Sequence, residues 1–394
     1  MNKKLIRLLK KKLSNLEASG LFKPEVIIQN AQDIEVELPG GATVINFSSN
    51  NYLGLAKNDS LSDAGERALK LFGYGTTSNR VVLGTLPIHK QLEEKLSQFL
   101  MMEDTALFNS DYDANIGIFE ALLSEKDTVF CDANCHASVI DGIRLCRANR
   151  VRYRTNDLEN LEKNLKMSKN TRIRMIVTDG VFATSGVIAK LPQICELAKM
   201  YNAIIMVHDS QGTGVLGEHG RGSHEYHKIM DQVDILSGSF GYALGGVNGG
   251  FVAAKKEIIG WLRQRARPYL LSNSYSPVMM GTVMEAIDIL QSEVSPLSTL
   301  RHRVKVFREG VKEIGFNELI MSEHPLVCIL TVDSVTTQKM TDQLFQDGIF
   351  VTGLCYPSVP KEQARLRMQV SALHTEDHLQ KALASLQNAA NTFL

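Results

Sequence analysis

Residues Arg172–Val207 read RIRMIVTDGVFATSGVIAKLPQICELAKMYNAIIMV. RIRMIVT is a β-branched, apolar run of strand length, and AIIMV is another. Between them, Pro192–Tyr201 carries apolar residues at three- and four-residue spacing, the period of a helix packed on one face. Two strands joined by a helix are a crossover unit, and crossover units build parallel sheets. The same alternation extends in both directions. Ser124–Phe130 leads into a strand, Leu158–Lys169 has helical spacing, and Val233–Leu236 and Gly249–Ala254 read as strands. The fold class is therefore α/β, with a mostly parallel sheet covered by helices on both faces. Ligands of such sheets gather at the carboxyl ends of the strands. Asn109–Asn115, Cys135–Ala137, Asp179–Gly186, His208–Gly214 and Ser237–Gly246 are thus the segments with a claim on function. After about residue 290 the pattern changes. A helical stretch from Met284 to about Gly315 precedes short strands at Leu326–Val332 and Arg367–Val370, and a helix closes the chain from Thr375. This reads as a smaller C-terminal α+β domain, giving an arm (1–45), a large domain (46–290) and a small one (291–394).

Composition narrows the function. A chain of 394 residues with 44% hydrophobic and 22% charged residues is enzyme-sized and globular. Lys plus Arg and Asp plus Glu are 43 each, so no net basic field favours nucleic acid. No apolar run approaches the ~18 residues of a membrane span. The six cysteines include no C-x-x-C pair, and a chain this long builds a core without staples. They read as reduced thiols of a cytoplasmic protein. Residues 1–20 (MNKKLIRLLKKKLSNLEASG) form a basic amphipathic helix. It reads as an arm that packs its leucines on the body or on a second subunit, in preference to a membrane-surface segment. The glycine runs Leu71–Asn79 and Ser237–Gly250 match neither the dinucleotide fingerprint nor the P-loop.

Several ordered stretches carry a family resemblance: NFSSNNYLGLA (46–56), DANIG (113–117), CHASVIDGIRLC (135–146), TDGVF (178–182), GEHGRGSHEY (217–226), RPYLLSNS (267–274) and ARLRMQVSALHT (364–375). Through them the chain resembles the α-oxoamine synthases of the fold type I pyridoxal-phosphate (PLP) superfamily, nearest to the glycine C-acetyltransferase branch. The resemblance implies an aminotransferase-like large domain with a small C-terminal domain. It also implies a homodimer whose sites lie at the subunit boundary, and chemistry that joins an amino acid to the acyl group of a CoA or carrier-protein thioester. Matched onto this chain, His136 would stack on the cofactor ring. Asp111, Tyr112 and Ser239 would contact its phosphate and ring, and Ser272 and Ser274 would reach the partner's phosphate. Arg367 would clamp the substrate carboxylate, for which a guanidinium fork is suited, with Asn50 beside it.

The departures fall on the cofactor. The family's T-G-T-L-G-K-A-L-G-G becomes SGSFGYALGG (237–246), so Tyr242 stands at the lysine that forms the Schiff base. A phenol forms no imine with an aldehyde. The aspartate under the pyridine nitrogen becomes His208, and the following histidine becomes Gln211. The expectation is a site without covalent PLP, with non-covalently held PLP still compatible, and with no metal ligand set. The leading functional expectation is acyl transfer from a thioester to an amino-acid-like amine, with His208 or His136 as general base and Tyr242 assisting. The alternatives are a non-catalytic subunit paired with a lysine-bearing homologue, and conventional PLP-dependent synthase chemistry.

Overall fold

The computed structural model describes residues 3–18, 22, 25–316 and 322–394. Seven strands form the central sheet: β1 (Asp104–Phe108), β2 (Thr128–Asp132), β3 (Asn149–Tyr153), β4 (Arg174–Asp179), β5 (Ala203–His208), β6 (Ile235–Ser239) and β7 (Gly250–Ala254). Their order is β1-β7-β6-β5-β4-β2-β3, and only β7 runs against its neighbours. A mostly parallel sheet with helices and a smaller C-terminal sheet is the architecture that the resemblance implied.

Apart from the edge strand β3, whose residues are mostly exposed, the sheet is buried on both faces, and its inner strands are rich in apolar residues. Successive side chains point to opposite sides. Ile176, Val207 and Leu236 join one core, while Met175, Val177, Met206 and Ile235 join the other. The helix between β4 and β5 spans Leu191–Tyr201 and ends where Asn202 turns left-handed. The strand expected at Val233–Leu236 is Ile235–Ser239, starting two residues later and running three residues further. The single helical stretch expected from Met284 is two helices, Pro277–Gln291 and Leu297–Glu313, because Pro296 caps the start of the second.

Three strands, β8 (Leu326–Leu330), β9 (Thr352–Leu354) and β10 (Arg365–Gln369), make the small antiparallel sheet in the order β8-β10-β9. A strand at Thr43–Asn46 straddles the expected boundary at residue 45 and pairs in parallel with Ile349–Phe350. The N-terminal helix, Lys3–Ala18, buries none of its residues. Its leucines are not packed into the body. Among the described residues no helix is long and apolar enough to cross a membrane.

Candidate active site

Parallel strands in register end side by side, and here they end on polar residues. Asp179 closes β4, His208 closes β5 and lies directly beside it, and Ser237 of β6 is level with His208. The helix Asp111–Leu122 enters from the end of β1, capped by Ser110, whose hydroxyl accepts from the Asp113 N–H at 3.0 Å. His136 precedes the helix Ala137–Leu145 and its N–H donates to both carboxylate oxygens of Asp179, at 3.0 and 3.2 Å. Three separate elements therefore deliver Asp111, His136 and His208 to one place.

His208 is the floor of that place and is 5% exposed. Its Nδ1 lies 3.3 Å from Asp179 Oδ1 and its Nε2 lies 3.3 Å from Asp111 Oδ2. Ser210 Oγ is 2.8 Å from Nε2 and donates to Asp111 Oδ2 at 3.2 Å. Burial by itself would lower the pKa of His208. The hydrogen bonds and charges of Asp111 and Asp179 outweigh burial and raise it to about 10. The Asp111 carboxyl is held below its usual range: burial pushes it up, but the bond and charge of His208 prevail. His208 is thus an imidazolium at neutral pH, and the expectation that it serves as general base is corrected. A ring that already holds both protons cannot accept another.

His136 stacks against His208 with ring centroids 5.2 Å apart and planes 21° apart. Burial lowers its pKa, and the charge on His208 lowers it further, so this imidazole is the neutral member of the pair. Its Nδ1 is 2.7 Å from Ser138 Oγ. Ser138 Oγ accepts from Asn115 at 2.8 Å, and Asn115 Oδ1 accepts from Ser237 at 2.7 Å. This buried ladder fixes the ring. Tyr112 stands edge-on to it at 6.5 Å and bonds to Asp141.

The other expected residues separate into three groups. Arg367 and Asn50 are brought together: Arg367 NH2 donates to Asn50 Oδ1 at 3.5 Å, and Gln369 and Tyr52 also bond to Asn50. Arg367 Nε is buried without a protein partner. Tyr242 lies within the fields of Asp111 and Arg367, and burial foremost raises its pKa to about 12. It keeps its proton. Gln211 turns away to accept from the Tyr52 hydroxyl at 2.7 Å. Ser239 Oγ accepts from the Gly241 N–H at 3.0 Å. Ser274 donates to the Ser78 carbonyl at 3.1 Å, and neither it nor Ser272 bonds to any residue of the pocket. Asp179 and Ser210 were missed from sequence. The signal for Asp179 was its place at the end of RIRMIVT, one strand over from His208. A cavity of about 1210 Å³ opens elsewhere, lined by residues such as Leu216, His219, Arg221 and Val304, and none of the residues above borders it.

The model of the aminotransferase class I and II family matches residues 42–386. The chain belongs to that family. Within it the chain is an α-oxoamine synthase relative. It is 45% identical over 373 residues to 2-amino-3-ketobutyrate coenzyme A ligase of Escherichia coli (strain K12), covering 94% of each chain. A structure of serine palmitoyltransferase with a PLP internal aldimine matches at a TM-score of 0.92 and 28% identity, covering 98% of this chain and 97% of that one. The same figures hold for a lysine-to-alanine variant of the S. paucimobilis enzyme with a bound PLP–myriocin aldimine. These PLP-bearing neighbours overturn the expectation, drawn from Tyr242, of a pocket without covalent PLP. They point to PLP binding, and the variant shows an aldimine whose amine belongs to a ligand.

The residues present fit that group. His136 offers an aromatic face, half-buried and fixed by Ser138. The first turn of Asp111–Leu122 and the Ser239 hydroxyl offer donors of the kind that hold a phosphate, and the Asp111 carboxylate is turned aside onto His208 and Ser210.

Proposed function

We propose that this protein transfers the acyl group of a CoA or carrier-protein thioester to the nitrogen of an amino-acid-like acceptor. Acyl transfer of this general kind is the chemistry of its relatives. The finer reading rests on Arg367. Its buried, unpartnered Nε and its NH2 beside Asn50 form a fork ready for a carboxylate. Asn50 sets the orientation of that carboxylate. His136, the neutral imidazole, takes the proton from the acceptor amine. The Tyr242 hydroxyl, which holds its proton, donates to the thioester oxygen, and the fixed charge of His208 steadies negative charge there. As the C–N bond forms the C–S bond breaks, and the proton on His136 passes to the leaving thiolate. PLP, when bound against His136 with its phosphate toward Ser239, supplies an electron sink for an amine's α-carbon.

The functional unit in this proposal is a cytoplasmic homodimer, which the exposed leucine face of Lys3–Ala18 supports. A second reading, a non-catalytic subunit paired with a lysine-bearing homologue, is favoured by one observation: the only imidazole at the old aspartate position is locked between two carboxylates. Mass spectrometry of products from a panel of acyl thioesters and amino acids, with PLP present, separates the readings. An N-acyl amino acid is expected. A product acylated at the amino acid's α-carbon, such as an amino keto acid, would return the protein to the reaction named for its relative, and no product from any pair would favour the subunit reading. Light scattering should give twice the mass of one chain.

A further inference from the structure

We propose that Asp111, His136 and His208 form a binding site for a divalent first-row transition-metal ion. One ligand atom from each lies within 4.8 Å of the other two, the one such group among the described residues. His208 Nε2 and Asp111 Oδ2 are 3.3 Å apart. That is close to the roughly 3.3 Å edge of a tetrahedron whose ligands sit about 2.0–2.1 Å from the ion. Two imidazoles and one carboxylate suit Zn2+, Fe2+ or Co2+ better than Mg2+ or Ca2+, which prefer oxygen alone.

The surroundings are those of a built site. Each ligand is oriented by an outer partner: Asp179 on His208 Nδ1 at 3.3 Å, Ser138 on His136 Nδ1 at 2.7 Å and Ser210 on Asp111 at 3.2 Å. Such outer bonds fix ring orientation in metal sites. Two carboxylates, Asp111 and Asp179, balance the charge of a divalent ion. His208 is buried while Asp111 and His136 are partly exposed, so the remaining coordination positions face the pocket. The residue that completes the set is His208, where the chain departs from the family's aspartate. The departure adds a nitrogen ligand while leaving a carboxylate nearby.

This site shares His136 and His208 with the acyl-transfer reading but does not depend on it: the ion takes the place of the His208 Nε2 proton, which leaves to solvent, and the test reads binding rather than turnover. The metal-stripped full-length protein is titrated with Co2+, followed by visible d–d absorption, and with Zn2+ by calorimetry. One ion per chain is expected. Asp179→Asn, which frees the His208 ring, should weaken affinity by about 10–100-fold. His208→Asp, which restores the residue of the family and removes a nitrogen, should weaken it at least as much and shift the Co2+ spectrum. Circular dichroism and thermal unfolding establish that each variant is folded. The proposal is overturned if two folded variants among these and Asp111→Asn bind as the parent does, or if the parent binds no tighter than millimolar. Saturating PLP should compete with the ion, and undiminished binding in its presence would place the metal elsewhere.

Discussion

His208 and Asp209 are neighbours in sequence and opposites in circumstance. His208 faces the pocket, where Asp111 and Asp179 compensate its charge. Asp209 faces away, into a cage made by Gly180, Gly212 and Gly222, with its Oδ2 accepting from the Ser223 N–H at 2.7 Å and its Oδ1 without a partner. Burial raises its pKa to about 7 despite the Ser223 bond. Both groups are almost fully buried. The difference teaches that burial alone does not decide charge. Where counter-charges converge the ionised form persists, and where they do not the proton is retained.

That contrast can be broken in graded steps. Replacing His208 by Leu strands two carboxylates in a buried floor, and chemical denaturation at pH 7 should show a loss of about 3–5 kcal/mol, the usual cost of breaking a buried pair. Gly222→Ala attacks the other side. Its φ of 120° suits glycine, and an added Cβ would strike the Asp209 carboxylate, so thermal unfolding should reveal a loss of about 3 kcal/mol. Arg367→Ala spares the fold and should weaken binding of a carboxylate-bearing acceptor by roughly 10–150-fold, or about 1.5–3 kcal/mol, read by calorimetry. Arg365 provides the control, since its guanidinium is already engaged by the Gln363 and Thr184 carbonyls.

The pH dependence sharpens the comparison further. Both pKa values are raised on folding, so each group binds more protons folded than unfolded and each loses stability as pH rises. For Asp209 the fall lies between about pH 4 and 7, and for His208 between about pH 6.5 and 10. Unfolding curves collected in chelator should show two successive declines. Asp209→Asn should abolish the first and leave the second. At pH 6 the same variant should lie within about 1 kcal/mol of the parent, since an amide replaces a carboxyl that is already protonated. A large loss there would mean that Asp209 is ionised after all.

The crossover unit was legible because its strands are buried on both faces and its helix has a single apolar stripe. β3 was not, because NRVRY is an edge strand whose residues are mostly exposed, and its charges hide the pattern. β1 escaped for a different reason: Asp104 and Thr105 open it, and only three apolar residues follow. Arg367 and Asn50 were named from motifs, and they do meet. The role of His208 was misjudged because its two carboxylates lie 97 and 29 residues away along the chain.

By itself the sequence determined the kinds of group present: an imidazole where the family has an aspartate, a phenol where it has a lysine, and an arginine on the β10 segment. It also determined the layered α/β fold, because hydrophobic period is a local property. The tertiary structure alone decided what those groups are. Parallel register set Asp179 beside His208, the Asp111–Leu122 helix brought a second carboxylate to its other nitrogen, and Ser138 fixed the ring stacked above it. Protonation state depends on charges and solvent within a few ångströms, and those distances exist only once the chain has folded.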